Sequence, residues 1–250
     1  MAPSTERIDI LLKKLRLDIY PVAIYDASPS EAFAPLVEAK GRVCCFAYFN
    51  QWKNGYTLVV RKSGESFSDP KNGCPGAQNA FGLSNGYPPF MANFLTDGKG
   101  APMGEGLKAT PELAQDFLDR AQKPDISGDT ILIGPLKIEQ WDSVRSVTFF
   151  ADPDRISALM TLSAYWSSDP DFIHAPFSSG CGLMFRDLDN QNRERAVLGC
   201  TDIAMRKYIP PEIMCISVSP RHFETMTSFP EDSFLNKTWW NDLMDFRERK

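Results

Sequence analysis

Three cysteines in this chain of 250 residues follow a glycine: Gly73-Cys74, Gly180-Cys181 and Gly199-Cys200. A residue without a Cβ lets the backbone turn tightly or come close to a bound group, so these pairs mark where thiol chemistry would sit. Two of them fall in one run, from Phe177 to Pro211, which reads Phe-Ser-Ser-Gly-Cys-Gly-Leu-Met, a polar turn, then Val-Leu-Gly-Cys-Thr-Asp-Ile-Ala-Met-Arg-Lys-Tyr-Ile-Pro-Pro. Cys74 and Cys200 each stand where a helix is expected to begin. A helix N-terminus favours a thiolate there and draws its pKa below the usual value of about 8.5. Cys181 falls in what reads as a flexible loop able to carry it to the same place.

Soft sulfur ligands from three separated turns suit zinc or an iron-sulfur cluster, so Cys74, Cys181 and Cys200, with Cys44 as a fourth, are the expected metal ligands. No Cys-x-x-Cys is present, the short spacing that zinc ribbons and ferredoxin-type clusters usually show. The plain alternative is that these thiols are buried as small apolar groups, and Cys45 and Cys215, each inside an apolar run, are assigned to the core on that ground. A second reading makes the same turns an anion pocket, with Gly73, Gly180 and Gly199 baring backbone N–H groups and Arg206 or Arg186 clamping a carboxylate or phosphate. For Arg206 the plain alternative is a last-turn cation offsetting a helix dipole. A third reading is a thiol enzyme using Cys200 or Cys181. Its base would have to be His174 or His222, the chain's two histidines, and His174 lies nearer to Cys181 in sequence.

The elements that must position these residues alternate in type. Ile8, Leu11, Leu12 and Leu15 form one helical stripe. Strands are expected over Tyr20 to Tyr25, Tyr56 to Val60, Thr130 to Ile138, Ser146 to Phe150, Arg195 to Gly199 and Ile213 to Val218. The run Val43 to Phe49 reads equally as strand or buried helix. Four segments start with a capping residue followed by proline: Cys74-Pro75, Thr110-Pro111, Asp152-Pro153 and Ser219-Pro220. A helix from Thr201 to Tyr208 stops at Pro210-Pro211, and a closing helix covers Trp239 to Arg247. The intermixing predicts an α/β or α+β fold, a mixed sheet with helices packed on it, in a single soluble globular domain over residues 1–250. The Gly-rich stretch 97–106 is either an internal boundary or a mobile loop.

A net charge of −5 and a pI near 5.2 argue against nucleic acid as a partner. Charges at Glu6, Arg7, Asp9, Lys13 and Lys14 interrupt any signal-peptide core, and no window approaches a membrane span, so a cytoplasmic protein with reduced thiols is expected. A small ligand or a redox partner fits the thiol turns. Trp239 and Trp240 with Phe234 and Phe246 would either pack on the domain or bring copies together as a homo-oligomer.

A family resemblance rests on three stretches: the opening helix with Tyr20-Pro21-Val22-Ala23-Ile24; Asn72-Gly73-Cys74-Pro75-Gly76-Ala77 followed by Phe81-Gly82-Leu83; and Leu198-Gly199-Cys200 before Arg206. Together they resemble the domain-of-unknown-function family 169, also labelled ArCR, over nearly the whole chain. The resemblance implies a soluble archaeal or bacterial protein without an established activity. Its Pro-Val, Cys-x-Gly and Gly-Cys features match Pro21-Val22, Cys74-Pro75-Gly76 and Gly199-Cys200. It directs attention to those turns and leaves the ligand open.

Overall fold

A computed structural model describes residues 2–41, 43–62, 74–101, 103–121, 123–185, 188 and 194–249. Helix α1 (Thr5–Leu15) forms because Ser4 caps it by accepting the Arg7 N–H and because Ile8, Leu11 and Leu15 fall on one buried stripe. Strand β1 (Val22–Tyr25) and the short β2 (Leu36–Glu38) follow. The ambiguous run after Val43 is helical: a 3-10 turn over Cys45–Tyr48 continues into α2 (Phe49–Lys53). Next come β3 (Thr57–Arg61), α3 (Pro75–Ala80), α4 (Met91–Phe94) and α5 (Pro111–Asp119). Then β4 (Thr130–Pro135), β5 (Val144–Ala151), α6 (Pro153–Ala164) and β6 (Ile173–His174) follow. The chain goes on through α7 (Gly180–Met184), β7 (Ala196–Gly199) and a 3-10 turn over Ile203–Tyr208. It ends with β8 (Met214–Val218), α8 (Pro220–Met226) and α9 (Thr238–Glu248).

All four cap-proline pairs open helices. Thr110, Asp152 and Ser219 accept the N–H groups of Leu113, Arg155 and His222, and Cys74 does the same for Ala77 through its sulfur at 3.4 Å. Proline at N1 then costs no hydrogen bond.

The strands form one mixed sheet in the order β2-β3-β4-β1-β5-β8-β7-β6. The two outermost pairs, β2 with β3 and β6 with β7, are parallel and the inner neighbours are antiparallel. Both faces are covered, so β1 reads as a continuous apolar run and β4 nearly so, while β5 and β8 bury Ser146, Thr148 and Ser217 among apolar neighbours, Thr148 and Ser217 hydrogen-bonded to each other. Ala23, Tyr25, Leu132, Val147, Phe149, Ile216 and Val218 point to a face packed by α1, α6, α8 and α9. Val22, Ile24, Ile131, Ile133, Phe150 and Cys215 point to the other, where Phe46, Trp52, Phe81 and Phe185 pack.

Residues 97–101 and 103–106 fold back against α4. Gly98 N–H and Glu105 N–H donate to the carbonyls of Asn93 and Phe94, and Gly98 lies so close to Gly104 that a Cβ on it would meet the Gly104 nitrogen at 2.5 Å. Trp240 is core, its indole N–H donating to the Lys14 carbonyl, whereas Trp239 and Phe246 are exposed. Among the described residues no helix is long and apolar enough to cross a membrane.

Candidate functional site

All six cysteines are on the second face of the sheet, and none is on the face covered by α1, α6, α8 and α9. Cys45, Cys181, Cys200 and Cys215 are buried and Cys44 and Cys74 half-buried, and none of the six is disulfide-bonded.

Local structure explains how four of them meet. Cys44 precedes the 3-10 turn that Cys45 opens. Cys74 caps α3, and α3 packs against α7, which carries Cys181 in its first turn. The loop expected around Cys181 is instead this short helix, because Ser179 accepts the Gly182 N–H and Asp202 accepts the Gly180 N–H at 3.1 Å. Gly180 is there for close approach: a Cβ would lie 2.6 Å from Cε2 of Phe46 and 3.2 Å from Cγ of Met205. A bare backbone therefore seats α7 directly against the segment that bears Cys44 and Cys45.

Electrostatics couple these four thiols. Burial pushes the Cys44 thiol well up, and the neighbouring Cys181 and Cys74 push it further. For Cys45 the hydrogen bond with Cys181 works downward, but burial with Cys74 and Cys44 outweighs it, and the net shift is up. Cys74 shows which effect wins at a helix start. Backbone hydrogen bonds from Ala77 and Gly76 favour its thiolate, as its capping position predicts, yet burial first and Cys181 second carry its pKa up to about 12. The expected depression at this N-terminus is overturned by desolvation.

Cys44 and Cys74 reach the wall of a cavity of about 420 Å³. Its lining is mostly apolar and aromatic, with Phe90, Phe94 and Tyr208 on the sides, and α4, the loop after it and the 203–208 turn enclose it. Few polar groups face in. Asp202 is pinned, accepting from both Gly180 and Ala204 N–H, and Glu105 is raised by burial and by the nearby Asp202 charge, with Lys207 opposing. Among the described residues, no three His, Cys, Asp or Glu side chains are arranged to hold a single metal ion.

The structure places Cys74 and Cys181 beside one another and beside Cys44, with Cys45 added. Cys200 lies elsewhere: its sulfur donates to Cys215 at 3.2 Å. It is not a helix start either, since Asp202 caps the 3-10 turn that replaces the expected helix from Thr201. Gly199 leaves room for a neighbouring sulfur, a Cβ there falling 2.5 Å from Cys215 Sγ. Arg206 does not line the cavity; its guanidinium donates to the carbonyls of Pro210, Pro211 and Ile213 and closes the following loop. Gly73 and Arg186 lie outside the described residues. His174 is in β6 and His222 in α8, packed at 5.0 Å on Phe172, and neither lines the cavity.

Cys45 and Cys215 are buried in the core, as their apolar runs predict, and sequence reasoning missed Asp202, a strong capping type two residues after Cys200. Glu105 carried no signal, because only the fold of the 97–106 loop brings it to the cavity.

The model of domain-of-unknown-function family 169, described as uncharacterised ArCR, matches residues 10–228, and the chain belongs to that family. Comparison with curated proteins gave no match, and comparison with solved structures gave none.

Proposed function

We propose that the chain binds an iron-sulfur cluster through Cys44, Cys45, Cys74 and Cys181, in an electron-transfer or sensing role. One observation carries the reading: three separate chain segments deliver four mutually interacting thiols to one place, two of them on the wall of an open cavity. A cluster is preferred to zinc here because, among the described residues, no three His, Cys, Asp or Glu side chains are arranged around one ion, whereas a cluster spreads its four cysteines around several irons. A cation also offsets the cost of burying thiolates, since ligand thiols give up their protons on binding. The cavity then gives a small molecule or a redox partner access to the cluster.

The test is anaerobic purification followed by iron, sulfide and zinc analysis and a visible spectrum. The reading predicts iron and sulfide in comparable amounts, lost in Cys74→Ser and in Cys181→Ser and kept in Cys215→Ser. A protein without iron after anaerobic reconstitution with ferrous ion and sulfide would overturn it.

The cavity also favours a second reading, a ligand-binding module without metal, because a mostly apolar hollow of this size with a few polar groups is the usual form of a small-molecule site. An anion held by Arg206 has less support, since that guanidinium is engaged by carbonyls. A ligand that still raises the melting temperature of metal-free Cys181→Ser would favour the module over the cluster.

A further inference from the structure

Cys200 and Cys215 take no part in that cluster, and the way the chain brings them together needs its own account. Gly199 and Cys215 are cross-strand partners in the antiparallel β7–β8 pair, so they share a face of the sheet. Strand alternation would send the next residue, Cys200, to the opposite face. Instead Cys200 takes the left-handed conformation, φ 61°, one of two non-glycine residues among those described that do so. Such a conformation is strained for a residue with a side chain and persists only where the surroundings hold it. The effect here is to bring its sulfur back to the side of Cys215, at 3.2 Å. Gly199 completes the arrangement, since any side chain there would occupy the place of the Cys215 sulfur. Three features of separate origin (a left-handed cysteine, a glycine opposite the second cysteine, and two sulfurs in contact) converge on one pair.

We propose that Cys200 and Cys215 are a redox-active dithiol that closes to a disulfide within the fold. With glutathione disulfide as oxidant, a Cys200 thiolate attacks one of its sulfurs and expels the first glutathione thiolate. The Cys215 thiolate then attacks the Cys200 sulfur of that mixed disulfide and expels the second. Two protein thiols and one glutathione disulfide become one protein disulfide and two glutathione thiols, which take up the two protons released. Burial raises the Cys215 pKa, and the Arg206 guanidinium works against that rise. The pair is sealed, at 2% and 0% exposure, so the fold has to open locally for the oxidant.

The test uses the intact chain, equilibrated anaerobically with glutathione buffers of increasing disulfide fraction, acid-quenched, alkylated in denaturant and digested with trypsin. Cleavage after Arg195, Arg206, Lys207 and Arg221 leaves Cys200 and Cys215 on different peptides. The expected result is a linked 196–206/208–221 species that grows with the oxidised fraction, disappears on reduction with dithiothreitol, and forms equally in a Cys74→Ser, Cys181→Ser double variant. Two separately alkylated peptides at every ratio, or links only to other cysteines or to glutathione, would overturn it. Because the double variant lacks two cluster ligands, this outcome is independent of the iron analysis.

Discussion

At Cys74 two residue-scale forces oppose each other, and the outcome fixes how the thiol reacts. The capping geometry offers backbone N–H groups to a thiolate, but enclosure in apolar surroundings beside Cys181 outweighs them. With burial pushing its pKa up to about 12, Cys74 in the metal-free chain stays protonated at about pH 8. Its alkylation by iodoacetamide is expected to be far slower than that of a free cysteine and to speed up as pH rises. Rapid labelling at that pH would contradict the assignment of burial as the winning effect. The glycines carry a second residue-scale prediction. Gly180→Ala forces a methyl against Phe46 and is expected to cost about 1–3 kcal/mol in urea unfolding. Gly128→Ala, which meets nothing within 4 Å, leaves stability unchanged or slightly higher. The need for close approach before Cys181 and Cys200 was legible in the sequence, because it follows from the missing Cβ alone. What does the approaching was not: at Gly180 it is a phenyl ring and at Gly199 a sulfur, and only long-range packing selects them.

At the scale of elements, the four cap-proline starts were legible because capping and proline geometry are local. The short edge strands β2 and β6 were not, since three and two residues hold strand form only by pairing with β3 and β7. Nor was the helix at Cys181, which depends on an acceptor 22 residues away. Asp202 ties α7 to the 203–208 turn by accepting from both Gly180 and Ala204. Asp202→Ala removes both caps and is expected to destabilise the fold by about 1–3 kcal/mol, each cap contributing around 1. It should also loosen metal retention at Cys181, read as faster iron loss to a chelator. A loss of iron no faster than in the parent protein would separate the cap from the site. Arg206→Ala, by freeing the carbonyls of Pro210 and Pro211, is expected to accelerate modification of Cys200 and Cys215 while leaving iron content unchanged.

For the whole molecule, the sheet divides the labour: thiols and cavity on one face, a thiol-free core on the other. That division was not legible, because apolar runs on a doubly covered sheet hide which residues share a face, whereas the mixed α/β character showed in the alternation of elements. The thiol-free face has its own pH response. His222 is buried against Phe172 with Nε2 unpartnered, and desolvation lowers its pKa, with Glu194 and Ser163 opposing. The unfolded chain therefore binds the extra proton first, so stability falls as pH drops through the ordinary value of 6.5 and recovers as pH rises. His222→Gln should flatten that slope between about pH 7.5 and 5.5 in urea denaturation; an unchanged slope would assign it to other groups.

The claim on which the functional account rests is that Cys44, Cys45, Cys74 and Cys181 hold iron and sulfide together. Iron and acid-labile sulfide per chain, measured on anaerobically purified protein beside its Cys74→Ser and Cys181→Ser variants, tests it most directly. The account predicts comparable iron and sulfide in the parent protein and neither in the variants. Parent protein that stays metal-free after reconstitution, or variants that retain full iron, would contradict it.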